Sequence, residues 1–212
     1  MTKNTLRNLV TVFAISLGVC GFAADTGKKS KKPDAAEKYA QEMEKEYQKL
    51  FRGFGKTAEE ILSQVGRAKT AKVLDALLYR IRMKTELKGP DALTATERRI
   101  RAVMGLAEEV KDEGFKDYFI GESADDAQLA LTTLKELGAT GTVAVVQKAL
   151  APFENATPPA DYSERQGALD KIEKKAQPIW AKCDKEFRAL KEDLSKLVLE
   201  YAQKKKEDIR LP

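Results

Sequence analysis

Histidine is absent from this chain of 212 residues, and its absence narrows the chemistry that the chain can perform. Without histidine, a serine or cysteine nucleophile lacks its commonest general base, and zinc lacks one of its usual ligands. The sequence also lacks a glycine-rich phosphate loop, a nucleophile elbow and any cluster with zinc-ligand spacing. We therefore expect no enzyme activity, no cofactor and no catalytic or metal-binding residue.

Carboxylate chemistry is the exception, because a pair of Asp or Glu side chains can hydrolyse a polymer without histidine. The chain has 33 such residues, so histidine-independent hydrolysis of cell-envelope polymers remains an alternative function. Most of these carboxylates alternate with lysine or arginine along helical patterns, which is typical of solvated helix faces. The sequence therefore favours binding over hydrolysis.

The first 23 residues have the layout of a secretory signal peptide. Lys3 and Arg7 precede an apolar run from Leu9 to Leu17, and small residues follow up to Ala23. The run is shorter than the roughly 20 residues that a membrane-spanning helix needs. We predict cleavage after Ala23 and export to the periplasm or the medium, which lowers the formal net charge from +5 to +3.

Cysteine is scarce, since only Cys20 and Cys183 occur. Cleavage after Ala23 leaves Cys183 alone, so no intramolecular disulfide can form and a buried core position is expected. The alternative is a lipoprotein anchored through Cys20, although Val19 is bulkier than the residue that normally precedes a lipidated cysteine.

Positive charge is concentrated at the two ends of the mature chain. Residues 24–32 are polar and rich in lysine with no apolar period, which predicts a disordered basic linker, and three lysines follow Gln203. Such tails can contact an anionic envelope surface weakly. No nucleic-acid-binding motif accompanies them, so we expect no nucleic-acid partner.

Helical spacing of apolar residues in the rest of the chain predicts an all-α fold: a compact multi-helix domain preceded by a charged N-terminal helix. Residues 33–88 are predicted to form an N-terminal helical region. Its first helix carries one apolar stripe, made of Tyr39, Met43, Tyr47, Leu50 and Phe51. The sequence leaves open whether this helix packs within its own chain or against a second copy.

Several helix boundaries are indicated by local signals. Capping pairs are predicted at Thr57 with Glu60, at Thr94 with Glu97 and at Ser163 with Gln166. Gly114 is expected to end a helix with a positive φ. Pro178 is expected to begin a helix, because a proline inside one costs about 3 kcal/mol.

Ser123 is predicted to N-cap the next helix, with Asp125 and Asp126 in its first turn near the positive end of the helix dipole. The alternative is a divalent-cation site that uses Glu122, Asp125 and Asp126. The glycine-containing spacing of a calcium loop is missing, so we favour capping over metal binding.

Three large rings follow Gly114 closely: Phe115, Tyr118 and Phe119. Rings so close to a helix stop are expected to hold two helices at a fixed angle. A role in stacking on a ligand is the alternative, and it requires a pocket.

These segments resemble, in their order and spacing, the DNA-mimic protein C-terminal domain family. The matching positions include Glu109, Val110, Gly114, Phe115, Tyr118, Phe119, Ser123, Asp126 and Gly138. The similarity continues through Pro158, Pro159 and Arg165, through the run from Asp184 to Phe187, and from Asp193 to Tyr201. It therefore covers residues 89–208, which we take as the C-terminal helical domain.

The resemblance implies an all-helical domain and, by analogy with the member that named the family, a protein that displays carboxylates like duplex phosphates to sequester a DNA-binding protein. This chain departs from that picture in its positive net charge and its leader peptide. It also has Asp112 and Glu113 where the family usually shows Asn and Gly. We predict a non-catalytic module that binds a protein partner, with DNA mimicry as a disfavoured alternative.

Overall fold

The computed structural model describes residues 35–212. Within this range the chain is helical and forms no strand, which confirms the predicted all-α class. The predicted signal peptide and basic linker lie outside the described residues. The helices are α1 Ala35–Leu50, α2 Ala58–Leu62, α3 Thr70–Lys88, α4 Ala95–Asp112, α5 Phe115–Ile120, α6 Ala127–Glu136, α7 Thr140–Leu150, α8 Tyr162–Ala189 and α9 Leu194–Lys204.

The first helix, α1, packs against α3 of its own chain. Met43, Tyr47 and Phe51 are buried at spacings of four residues, and the Tyr47 ring lies 5.7 Å from the ring of Tyr79 on α3. The predicted apolar stripe is wrong at Leu50, which remains 41% exposed because it lies one position off this buried row.

Tyr39 is the other exception to the predicted stripe, since it is 43% exposed. It lies one turn before Met43, in the N-terminal part of α1, and its hydroxyl donates to the Glu86 carboxylate on α3. The Tyr39 ring can remain partly exposed to water while its hydroxyl bonds to the neighbouring helix, so this contact does not require burial of the side chain.

A buried arginine connects α1, α3 and the last residues of the chain. Arg80 on α3 is 2% exposed, and its Nη1 donates to Glu44 Oε2 on α1 at 2.5 Å. Its Nη2 donates to the backbone oxygen of Pro212, and its guanidinium lies 5.0 Å from the centre of the Tyr47 ring. This residue therefore holds segments that are far apart in sequence.

A second buried ion pair fastens the start of α4. Lys84 Nζ donates to Glu97 Oε2 at 2.7 Å, and the same oxygen accepts from the Thr94 backbone N–H at 2.8 Å. The other oxygen of Glu97 accepts from the Arg210 backbone N–H at 2.7 Å. The capping-box carboxylate of α4 thus also anchors the C-terminal segment.

The rest of the molecule is arranged around α8. This helix packs against α5 and α7, while α4 packs against α6. Cys183 on α8 is buried and not disulfide-bonded, and burial raises the pKa of its thiol above the ordinary value. Both observations agree with the predicted core position, since a thiol with a raised pKa is a poor nucleophile.

The predicted helix starts are partly confirmed. Reciprocal capping boxes form at Thr57 with Glu60 and at Thr94 with Glu97. The prediction at Ser163 with Gln166 is wrong, because α8 begins earlier and Asp161 Oδ1 accepts from the Glu164 N–H at 2.9 Å.

The prediction for Pro178 is also wrong, because this residue lies inside α8 rather than at the start of a helix. Pro178 and Lys174, one turn before it, are both exposed. The Lys174 carbonyl, which loses its intrahelical donor, can therefore bond to water, and this lowers the cost of the proline.

Among the helices of residues 35–212, none combines the length and the apolar character that a membrane-spanning helix needs.

Candidate functional site

The junction between α4 and α5 is built around a glycine. Gly114 has a φ of +101°, which agrees with the predicted positive φ. Asp184 of α8 lies beside it, and its Oδ1 accepts from the Phe115 N–H at 2.8 Å. The positive φ favours glycine, and a Cβ atom at position 114 would lie 2.8 Å from Asp184 Oδ2, so a larger residue would also displace the carboxylate that accepts from Phe115.

The three rings after Gly114 are core residues. Phe115, Tyr118 and Phe119 are each at most 1% exposed. The Phe119 ring lies 4.9 Å from the ring of Phe153 and 5.5 Å from that of Trp180, so it joins α5 to α8 and to the segment after α7. None of the three lines either of the two surface grooves described below.

The Tyr118 hydroxyl is buried and forms no hydrogen bond within the described part of the chain. Burial raises the pKa of this phenol above its ordinary value, and the nearby carboxylates of Glu109 and Asp126 raise it further. The hydroxyl therefore remains protonated and neutral.

Ser123 does not cap a helix, which corrects the prediction. It lies in a short 3-10 turn, Glu122–Asp126, and its hydroxyl donates to Glu109 Oε1 on α4. A Cβ at Gly121 would lie 3.1 Å from Glu109 Oε2. Glu109 and Ser123 thus form a contact between α4 and this turn, and Asp126, in the N-cap position of α6, makes no side-chain capping bond.

Arg165 is the centre of the hydrogen bonding around this turn, and it is 0% exposed. Its Nε donates to the Phe119 carbonyl at 3.0 Å, and its Nη2 donates to the Gly121 carbonyl at 3.0 Å and to Asp125 Oδ1 at 2.6 Å. Its Nη1 donates to the carbonyls of Pro159 and Ala160 at 2.9 and 2.8 Å. All five donors of a guanidinium are engaged.

Two of the three acidic residues considered for a divalent cation, Asp125 and Asp126, bind arginines instead. Asp126 Oδ2 accepts from Arg101 at 2.7 Å, and its Oδ1 accepts from Arg98 at 3.4 Å. Asp125 pairs with Arg165. No group of three or more acidic or cysteine side chains in residues 35–212 is arranged to hold a metal ion.

A long-range cap that the sequence did not indicate lies at the start of α7. The Oε1 atom of Glu192 accepts from the Gly141 N–H at 2.6 Å, and its Oε2 accepts from the Thr142 N–H at 2.8 Å. Burial raises the pKa of Glu192, but these bonds lower it more, so the net pKa is below the ordinary value. The carboxylate therefore stays ionised and caps the helix.

The remaining matched positions lie in the interior or at helix ends. Val110 is 0% exposed, and Gly138 follows α6 with a φ of +72°. The structure brings Glu109 and Ser123 into contact and places Phe115, Tyr118 and Phe119 in the core. Gly138 lies at the far end of α6 from this group.

One exposed surface on α3 and α4 gathers three carboxylates. Asp75 on α3 and Glu108 and Asp112 on α4 are exposed, and they form no ion pair with any described residue. Nearby protein atoms remove part of the hydration of Asp75 and Glu108, which raises the pKa of both groups. The charges of Asp75 and Asp112 raise the pKa of Glu108 further.

Two open grooves flank the N-terminal half of α8. The larger, about 470 Å³, is lined by Phe153, Glu154, Pro159, Glu164, Gly167, Ala168, Lys171 and Ile172. The smaller, about 230 Å³, is lined by Lys116, Ile120, Gln166, Leu169, Asp170, Glu173 and Trp180, and Lys116 pairs with Glu173 across it. Neither groove contains the carboxylates whose pKa is raised.

The family of this chain follows from its sequence. The family described as DMP19-like protein matches residues 91–205, more than half of the chain. The helical chain therefore belongs to the DMP19-like family. No curated protein matches the chain. No solved structure matches it either.

Proposed function

We propose that this chain is an exported, non-catalytic module that binds a protein partner. Membership of the DMP19-like family supports protein binding at a coarse level. The observation that carries the proposal is that buried or partly buried polar side chains in residues 91–205 bond to the protein's own backbone. Arg165, Asp184 and Glu192 bond to backbone groups of their own fold, so they build a rigid scaffold and leave recognition to the surface.

The position of the perturbed carboxylates disfavours hydrolysis. A hydrolase without histidine needs two facing carboxyl groups in a cleft, one with a raised pKa. The raised pKa values belong to Asp75 and Glu108, which lie on the exposed surface of α3 and α4 and line neither groove.

DNA mimicry is disfavoured as well. Imitation of duplex DNA requires a dense, continuous row of negative charges. In this chain Asp126 pairs with Arg98 and Arg101, and Glu136 pairs with Arg99. Basic and acidic side chains thus alternate on the α4 and α6 side of the molecule.

Export is the second part of the proposal, and it rests on the layout of the first 23 residues. The intact mass of the protein purified separately from the envelope and cytoplasmic fractions of its source tests it. A mass that matches a chain beginning at Ala24 supports cleavage, and a lipid-modified Cys20 identifies a lipoprotein. A full-length chain found in the cytoplasmic fraction contradicts export.

The partner is tested with the mature chain as bait in an envelope extract. A truncation that removes α1 is unsuitable, because Met43, Tyr47 and Phe51 belong to the core. The matched bait therefore keeps the fold and changes only the exposed carboxylates, as Asp75→Asn, Glu108→Gln and Asp112→Asn.

The supporting result is a purified protein that forms a stoichiometric complex with the mature chain in calorimetry. Weaker binding by the matched bait would locate the contact on the α3 and α4 surface. Release of soluble polymer fragments by the mature chain, with no stoichiometric partner, would contradict the proposal and favour the hydrolase.

A further inference from the structure

The larger groove on α8 has both apolar and charged lining residues. Phe153, Glu154 and Pro159, from the segment after α7, line it together with Ala168 and Ile172 of α8. Glu164 and Lys171 of α8 also line it, one turn before and one turn after Gly167 and Ala168. A groove with this composition is suited to a helix that presents small apolar residues and carries charges one turn to either side.

A glycine in the middle of this groove is not explained by the fold itself. Gly167 lies inside α8, where glycine costs roughly 0.5–1 kcal/mol relative to alanine. Nothing lies within 4 Å of the position that a Cβ would occupy, so no internal contact requires the missing side chain. The open space in front of Gly167 allows a second backbone to approach closely.

The two charges that α8 contributes to the groove are of opposite sign and lack ion-pair partners within residues 35–212. Glu164 and Lys171 are both exposed, and neither belongs to an ion pair of the described chain. They are seven residues apart, about two turns or roughly 10 Å along a helix, so they share a face but cannot pair with each other.

This arrangement is self-complementary under a two-fold rotation. Gly167 and Ala168 lie midway between Glu164 and Lys171, three or four residues from each. If two α8 helices cross in antiparallel orientation at this midpoint, Glu164 of each copy faces Lys171 of the other. A two-fold interface requires that the same two residues pair in both directions.

We propose that the groove is the docking surface for a second copy of this chain, joined through antiparallel α8 helices that cross at Gly167. The surface that the groove alone can bury is smaller than the roughly 800 Å² per partner that is typical of stable complexes. The dimer is therefore weak and depends on concentration, and salt weakens it because two exposed ion pairs contribute to it. This inference does not depend on the identity of any other partner.

Sedimentation velocity of the mature chain over a range of concentrations tests the proposal. We expect a monomer–dimer equilibrium in which Glu164→Lys alone and Lys171→Glu alone each raise the dissociation constant at least tenfold, because like charges then face each other. The double variant with both substitutions is expected to restore dimerisation, because the two charges have then changed places and opposite signs face each other again.

Two further variants separate assembly from folding. Lys185→Glu changes an exposed charge on α8 that lies about 20 Å from Lys171 along the helix, so it should leave the dissociation constant unchanged. Gly167→Gln fills the crossing point with a better helix former. It should raise the thermal midpoint of the isolated chain and abolish the dimer.

The proposal is overturned by a chain that remains monomeric at every concentration. It is also overturned by a dimer that both single charge reversals leave intact, or by one that the double variant fails to restore. Circular dichroism of each variant confirms that the helices are formed before the sedimentation result is interpreted.

Discussion

Two regions of the molecule each contain a buried arginine and a glycine with positive φ, but they use them differently. Arg165, in the region matched by the family, has all five donors engaged, four of its bonds going to backbone carbonyls. Arg80, in the N-terminal region, bonds to Glu44 and Pro212, and its buried Nε has no partner among the described residues. Arg165 is therefore a fully hydrogen-bonded interior residue, whereas Arg80 is a link between segments.

Two of the glycines with positive φ differ in their surroundings. Gly114 has both a positive φ and a carboxylate 2.8 Å from the position of a Cβ, whereas Gly53 has a φ of +84° and open space around it. Gly114 is therefore expected to tolerate substitution less well than Gly53. The added demand at Gly114 comes from a polar contact to the backbone, which cannot be repacked as an apolar contact can.

The largest effect is expected at Arg165. Arg165→Met removes the donors of four backbone carbonyls and leaves the Asp125 carboxylate unpaired. We expect a loss of about 3–5 kcal/mol in the free energy of unfolding. Urea unfolding followed by circular dichroism measures it. Arg165→Lys should recover little of the lost stability, because lysine has three donors and a different geometry. A variant as stable as the parent would show that the hydrogen bonds of Arg165 do not stabilise the fold.

Gly114→Ala is expected to have the next largest effect, about 2–3 kcal/mol, because strain from the positive φ adds to the collision with Asp184. Gly53→Ala is the matched control, since it introduces the same φ strain without a nearby atom. It should cost about 1 kcal/mol. Equal losses in the two variants would show that the Asp184 contact is unimportant.

Arg80→Met should lower the free energy of unfolding by about 1–2 kcal/mol, less than Arg165→Met or Gly114→Ala. Methionine keeps much of the packing against Tyr47, and the change removes fewer hydrogen bonds than the change at Arg165. Hydrogen exchange should locate the change in α1 and in the last residues of the chain. Faster exchange in α5 and α8 instead would contradict the division between the two regions.

The effect expected at Glu44 is a dependence of stability on pH that is confined to acid solution. Burial raises the pKa of Glu44, but hydrogen bonds from Lys56, Gln48 and Arg80 outweigh it and hold the pKa at about 2, below the ordinary value of 4.5. A lowered folded-state pKa stabilises the fold above the unfolded-state pKa, and this stabilisation is lost as pH falls from about 4.5 towards 2. Glu44→Gln should therefore reduce the slope of unfolding free energy against pH in this window. An unchanged slope would exclude Glu44 as its source.

The sequence predicted contacts between neighbouring residues better than contacts between distant ones. The capping boxes at Thr57 and Thr94 involve residues three apart, and both form. The caps supplied by Asp184 and Glu192 join residues 69 and 51 apart, so no local pattern could indicate them. The prediction that Ser123 caps a helix is wrong for the same reason, because its partner Glu109 lies on another helix.

Exposure was the other property that the sequence left undetermined. The large cost of a proline inside a helix predicts a helix start at Pro178, yet that cost falls where the freed carbonyl faces water. Arg165 entered only through the family resemblance, although it has more polar contacts than any other matched residue described above. Its burial depends on the meeting of α5, α8 and the segment at Pro159, which only the folded chain creates.

Trp180 is the only tryptophan in the sequence, and it lies 2% exposed against Phe119 and Phe153, with its indole N–H donating to the Ala149 carbonyl at 2.8 Å. Tyr47 and Tyr79 pack instead in the N-terminal region. The fold therefore places the single indole fluorophore in one half of the molecule. Selective excitation of this tryptophan therefore follows the unfolding of that half without any label. A difference between the midpoint of the fluorescence transition and the midpoint of the loss of total helicity would reveal whether the N-terminal helices detach first.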